Sequence, residues 1–316
     1  MKIFTRTALS IVALSLSFAG AADAAAVLQP LGSGSPVTHG YFLKISVGGG
    51  PLHVVQVDTG SVGVVVPRTT LGPGARDTGI PGRIEYTSSG RIFIGRYVVA
   101  KLTLVDAGGR RVMVAPMRVL AIDAASCDNA RHPACVAGRS VAGVGMLGVG
   151  FARDTGSPDV NPFLHALDGG RSLAPAYVFT ERSIVLGAES TDEVGFSATH
   201  LARASTDWAP PSACFAVGAS RYCGTVLIDT GLGYAIARVP KSARPSGATA
   251  GSFWTITIDV PDSGAALAAR EITKARWSSG HGPPFLNTGR ALLGSFDYLY
   301  DAASGRVGFR RRPTRS

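Results

Sequence analysis

VVQVDTGSVGVVV, Val54 to Val66, and its later counterpart TVLIDTGLGYAIA, Thr225 to Ala237, are the stretches on which the fold turns. Each is an apolar run, then Asp-Thr-Gly, then a second apolar run. Short apolar runs rich in Val and Ile and bounded by glycine read as buried strands rather than helices. An Asp set between two buried strands costs free energy unless it is paired or hydrogen-bonded. Asp58 and Asp229, one per copy, can satisfy each other by sharing a proton across a pseudo-two-fold axis. Each copy is followed by an apolar pair ending in glycine, within GMLGVGF (Gly145 to Phe151) and ALLGSF (Ala291 to Phe296). A strand, Asp-Thr-Gly, a strand and a later Leu-Gly, twice over, is an internal repeat. It predicts two related halves, residues 25–190 and 191–316.

Asp-Thr-Gly also occurs at Asp77 and Asp154. Asp77 sits between Gly74-Ala75-Arg76 and Gly79-Ile80-Pro81-Gly82, and Asp154 lies before Ser157-Pro158. That is turn chemistry, and it predicts exposed loop carboxylates.

Outward from the repeat, composition agrees. The 316 residues are 46% hydrophobic and 16% charged, which excludes an intrinsically disordered chain. Gly (40) and Pro (19) are plentiful without a Gly-X-Y period, so collagen is excluded and an all-β protein full of tight turns is expected. Further strands are predicted at Tyr41–Val47, His53–Val57, Val112–Ile122, Phe253–Val260 and Arg306–Phe309. Ile84–Tyr86 and Ile92–Leu104 read as a hairpin turning at Thr87-Ser88-Ser89-Gly90. Helical signals are few. Asn161 before Pro162 can cap a short helix to Leu167, and the Ala-rich stretch Ala265–Trp277 is the best longer candidate.

Lys2 and Arg6, an apolar run from Ala8 to Ala19 and the Ala22-Asp23-Ala24 site predict a secretory signal peptide over 1–24. The run is too short to span a membrane, and no later segment is long enough. An exported protein, periplasmic or secreted, is expected. Its four cysteines then favour disulfides. Of three possible pairings, the local one, Cys127–Cys135 with Cys214–Cys223, is expected, and no metal site is. The formal charge is +10. Much of it lies in a terminal arginine cluster, without a basic helix or interleaved aromatics, so nucleic acid is not an expected partner.

Other site motifs fail on context. Gly143, Gly145 and Gly148 match G-x-G-x-x-G with Asp168 twenty residues on, but no helix follows and βαβ alternation is missing. No G-x-S-x-G nucleophile elbow exists. The six histidines are scattered and form no H-E-x-x-H.

Two carboxyl groups held side by side cannot both ionise easily, so one keeps a proton. Such a pair can activate a water and protonate a carbonyl oxygen at once. Through V-D-T-G-S, L-I-D-T-G, Leu147-Gly148 and Leu293-Gly294, the chain resembles the pepsin-like, two-lobed aspartic proteases over nearly its whole mature length. The closing LGSFDYLYDAASGRVGF, Leu293 to Phe309, is similar to that family's last strands. The resemblance implies two pseudo-symmetric β-rich lobes with a cleft between them and Asp58 and Asp229 as the catalytic pair. Thr59, Gly60, Ser61, Thr230 and Gly231 would support that pair, and Tyr86 would sit on a flap over bound substrate. It implies a monomer acting on an extended peptide or protein without a cofactor. The chain departs from the family at three places. Leu232 stands where a hydroxyl residue usually follows the second Asp-Thr-Gly. Val65 replaces the aromatic that usually partners the flap tyrosine, and Thr87 replaces a flap glycine. These departures keep open an alternative, a catalytically inactive member that binds peptides or proteins in its cleft.

Overall fold

The computed structural model describes residues 25–138, 140–153, 158–188, 194–217, 220–240, 242, 253–254, 256–259, 266–267, 273–279 and 282–313. The expected signal peptide and the Asp154 motif lie outside the described residues. Strands dominate. Six of them close into a barrel: Phe42–Val47, His53–Asp58, Met146–Val149, Val62–Pro67, Arg111–Cys127 and Arg91–Val105, each paired with the next and the last with the first. Alternate side chains point inward, as the two-residue strand period requires. Leu43, Ile45, Val47, Val55, Val57, Val64 and Val66 are each no more than 1% exposed. The odd neighbour Val65 is buried as well, in a second apolar cluster with Phe93, Leu120 and Ile122. Burial on both faces is why VVV runs unbroken by polar residues.

The strand pattern recurs after residue 200. His53–Asp58, Met146–Val149, Val62–Pro67 and Arg111–Cys127 pair in the order parallel, antiparallel, parallel. Ser220–Leu227, Phe285–Asn287, Ala235–Val239 and Thr273–Ser279 pair in the same order and sense. In both sets, a strand from far along the chain threads between the two that flank Asp-Thr-Gly. A separate sheet combines Ala26–Leu28, Ala176–Phe179, Ile184–Leu186, Ser197–His200, Phe296–Asp301 and Arg306–Arg311, so it draws on the start, middle and end of the chain.

Two expectations need correction. The partner of the second Asp-Thr-Gly is not the Ala291–Phe296 segment, because Ala291–Gly294 is a 3-10 turn. The threading strand is Phe285–Asn287, with Leu227 opposite Asn287. In the first set Asp58 lies opposite Gly148. Extending the second register by two residues puts Asp229 level with Gly289, so Asn287-Thr288-Gly289 occupies the place of Met146-Leu147-Gly148. The apolar pair of Ala291–Phe296 resembled the first copy more closely, but pairing chose the polar segment. Nor is Ala265–Trp277 a helix, since its described parts are the strands Ala266–Leu267 and Thr273–Ser279. A parallel pairing with Ala235–Val239 outweighs the helix propensity of its alanines.

Other expectations are met. Arg76–Tyr86 and Arg91–Val105 form the hairpin around residues 87–90. Asn161 caps a short 3-10 helix, Pro162–His165, which stops before Leu167, itself in the strand Ala166–Asp168. Asp77 is exposed and accepts the backbone N–H of Gly79 at 2.8 Å, but it stands in the strand Arg76–Tyr86, beside a register shift, rather than in a loop. Both disulfides, Cys127–Cys135 and Cys214–Cys223, are formed. Among the described residues no helix is long and apolar enough to cross a membrane.

Candidate active site

Asp58 ends the strand His53–Asp58, and Asp229 follows Ser220–Leu227 by two residues. Both are buried, at 5% and 6% exposure. Each chain turns back on its carboxylate at once. Gly60 N–H donates to Asp58 Oδ1 at 2.7 Å, and Gly231 N–H donates to Asp229 Oδ1 at 2.9 Å. The threonines between them lock the two loops together reciprocally. Thr59 N–H donates to Thr230 Oγ1 at 2.9 Å, and Thr230 N–H donates to Thr59 Oγ1 at 3.0 Å. Each hydroxyl then donates across to a backbone carbonyl of the opposite strand, Thr59 to Ile228 at 2.6 Å and Thr230 to Val57 at 2.8 Å. Four bonds thus join loops 171 residues apart, and the buried polar groups of both threonines are satisfied.

Glycine is required at 60 and 231. A Cβ on Gly60 would lie 2.5 Å from the Asp229 carboxyl carbon, and one on Gly231 would lie 2.5 Å from Asp58 Oδ1. Each loop therefore lies against the other loop's carboxyl, a contact open only to a residue with no side chain.

Beyond the shared backbone the two halves differ. Ser61 Oγ donates to the outer oxygen of Asp58, Oδ2, at 2.6 Å. Leu232, at the matching place, offers Asp229 no side-chain donor. Asn287 does: its Nδ2 donates to Asp229 Oδ2 at 2.6 Å, while its Oδ1 accepts from Gly289 N–H at 2.8 Å. Gln56, two residues before Asp58, donates to the Gly231 carbonyl at 3.0 Å. Burial first, and the negative charge of Asp58 second, push the Asp229 carboxyl well above the usual carboxylate range, while Asn287 and the Gly231 N–H act in the opposite direction. Arg290 brings a positive charge toward Asp229, with its guanidinium fixed on the carbonyls of Val37 and Thr38 at 2.8 and 2.9 Å.

Support below the first loop comes from the threading strand. Gly150 N–H donates to the Ser61 carbonyl at 2.8 Å. The Val149 carbonyl accepts from Asn161 Nδ2 at 2.8 Å and from Tyr177 Oη at 2.5 Å. A Cβ on Gly148 would lie 2.6 Å from the backbone of Val62, so the strand threads beneath Asp58 only as glycine.

Tyr86 lies at the end of the hairpin strand, its ring edge-on to Phe93 at 5.8 Å and packed on the apolar cluster that includes Val65. The smaller Val65 thus still contributes to the tyrosine's seat. The Tyr86 hydroxyl is buried beside Ser61 and Asp58 but makes no hydrogen bond of good geometry. Burial, then the Asp58 charge, push its pKa up. The hairpin tip is anchored to the disulfide loop that follows Cys127. Asp128 N–H donates to the Gly90 carbonyl at 2.8 Å, and Arg131 pairs with Glu85 at 2.7 Å. Arg131 also pairs with Asp128.

The structure thus brings together Asp58, Thr59, Gly60, Ser61, Thr230, Gly231 and Asp229, with Tyr86 above Ser61. Cys127 and Cys135 brace the hairpin, whereas Cys214 and Cys223 face each other across the pairing of Ser212–Val217 with Ser220–Leu227. Sequence reading missed Gln56, Asn287 and Arg290. Only the Asn-Thr-Gly at 287–289, a glycine after two polar residues, carried any signal for the second of these. No family model matches the chain, and no curated protein matches it in a sequence search.

Proposed function

We propose that the chain is an exported, pepsin-like two-lobed aspartic endopeptidase that hydrolyses peptide bonds with a water activated between Asp58 and Asp229. One observation carries this reading: two buried carboxyls from opposite halves of an internal repeat, each held by its own Gly N–H and joined through the Thr59–Thr230 exchange. A purely structural role would be served as well or better by packed apolar groups.

The chemistry follows from the shared proton. The ionised member takes a proton from water, and the resulting hydroxide adds to the scissile carbonyl carbon. The protonated member gives its proton to the carbonyl oxygen. A neutral tetrahedral diol forms without a covalent acyl-enzyme. It collapses as the amide nitrogen is protonated and leaves as an amine. The pair titrates as a unit, so its two steps belong to neither residue alone. The hairpin bearing Tyr86 would cover the site and exclude water, and an extended peptide would pair with strand edges by main-chain hydrogen bonds.

The test is cleavage of a broad peptide mixture from about pH 3 to 7, with Asp58→Asn and Asp229→Asn proteins alongside. Cleavage lost in both variants supports the reading. A folded protein that cuts nothing at any pH, yet retains peptides, would replace it with the binding role.

A further inference from the structure

Asp229 lacks the neighbouring hydroxyl that Asp58 has, yet its outer oxygen is not left bare. Resting on the reading of Asp58 and Asp229 as an acid–base pair, we infer that Asn287 is a positioning residue that replaces the missing hydroxyl and keeps the shared proton off Asp229 Oδ2, between the two inner oxygens.

The orientation of the Asn287 amide is fixed on both sides. Its Oδ1 accepts from Gly289 N–H at 2.8 Å, so Nδ2 must face Asp229, which it reaches at 2.6 Å. An amide nitrogen donates and cannot accept. A proton on Asp229 Oδ2 thus has no acceptor on the Asn287 side, whereas Asp229 Oδ1, although it accepts from Gly231 N–H, has the other carboxyl to share a proton with. Ser61, at the same distance from Asp58 Oδ2, is different, because a hydroxyl can turn from donor to acceptor. The second half thus holds one protonation pattern where the first tolerates two. Asp58 Oδ1 and Asp229 Oδ1 face the same place, 2.5 and 3.1 Å from the point a Gly231 Cβ would occupy, and the two carboxyls are close enough to interact directly. A proton held between them faces the place where water must be activated.

The register explains why this residue does the work. Asn287 occupies the position of Met146 in the threading strand. At that position an apolar side chain would suit a loop that carries its own hydroxyl. A polar one is needed where residue 232 is Leu. Among the described residues, the other titratable groups near the pair are the Arg290 guanidinium on the Asp229 side and the neutral Tyr86 phenol on the Asp58 side. Neither touches Asp229 Oδ2.

Asn287→Leu keeps the branched shape and removes the donor. The titration of the pair is followed by carboxyl-carbon NMR of protein labelled at Asp, with Asp58→Asn and Asp229→Asn as assignments. Loss of a charge-assisted bond should move the upper step of the pair up by about one pH unit or more. In peptide cleavage, kcat should fall about tenfold with KM within about twofold, and the basic limb of the pH profile should move with the titration. Leu232→Thr in the Asn287→Leu background supplies a hydroxyl three residues after Asp229, as Ser61 does for Asp58, and should return both readouts toward the original. If Asn287→Leu alone folds poorly, the double variant still decides. A titration like that of the unaltered protein supports the inference, and a displaced one overturns it. An unmoved titration in a folded Asn287→Leu protein also overturns it. The titration is read whether or not peptides are cut, so a pair that titrates as described in a protein that cleaves nothing would remove the protease reading and leave the role of Asn287 intact.

Discussion

Around Asp58 the outer carboxylate oxygen is served from three residues away, by Ser61; around Asp229 it is served from 58 residues away, by Asn287. The inner oxygens show no such difference, since each is bonded to the N–H two residues on, Gly60 or Gly231. The contrast separates two kinds of determinant. What the backbone of Asp-Thr-Gly can supply is the same in both halves, because the turn itself delivers the N–H and the threonine delivers the crosslink. What must come from a side chain beyond the motif is free to move to another element, provided a donor arrives at the same oxygen.

The largest effect should come from breaking the symmetric part. If the pair works as proposed, Asp58→Asn and Asp229→Asn should each lower kcat/KM for peptide cleavage by about a thousandfold or more, because either loss removes the acid–base unit. If one variant kept most of its activity, the two halves would not be equal partners. Next in size is the threonine exchange. Thr59→Val strips the acceptor from Thr230 N–H, and Thr230→Val does the reverse, so each leaves one buried amide unpaired. Each should cost about 1–3 kcal/mol in denaturant unfolding. The two costs should be nearly equal, and the double variant should cost less than their sum.

How much of this could be read in the sequence follows the same division. Asp58, Asp229, both threonines and both glycines were legible because a short motif repeated in the same apolar context. The hairpin carrying Tyr86 was legible from its turn residues, and the disulfides from the local spacing of the cysteines. Asn287 was not, since it reaches the site only through a parallel strand pairing fixed by the whole sheet. The more apolar ALLGSF segment was also the better visual match to GMLGVGF. Gln56 reads as one polar residue in a strand and Arg290 as a surface cation until the loops are placed beside them. The Ala265–Trp277 stretch failed for the opposite reason, as composition favoured a helix and a long-range pairing claimed a strand.

The remaining effects are smaller. The Asp229 carboxyl is held above its ordinary value when folded. The folded protein therefore keeps a proton that the unfolded chain has already released. That contribution to stability is complete below about pH 4 and is lost as pH rises through the folded value. Asp229→Asn is neutral throughout and does not lose it. Melting temperatures across pH should show the variant gaining on the unaltered protein toward neutrality, by roughly 1–3 kcal/mol, and the advantage shrinking in acid. A constant difference at every pH would show that the pair does not titrate differently on unfolding. Tyr86→Phe should have the smallest effect on stability, neutral or stabilising by up to about 1 kcal/mol in denaturant unfolding, because the hydroxyl it removes is buried without a good hydrogen bond.

In the proposed chemistry the two carboxyls act as one unit toward a tetrahedral centre. Calorimetric binding of a peptide isostere bearing a single hydroxyl at the scissile position, compared with the same peptide lacking that hydroxyl, tests it most directly. The hydroxyl should tighten binding by about a hundredfold or more, and this advantage should disappear in both Asp58→Asn and Asp229→Asn. Equal affinity for the two peptides, or an advantage that survives either substitution, would contradict it.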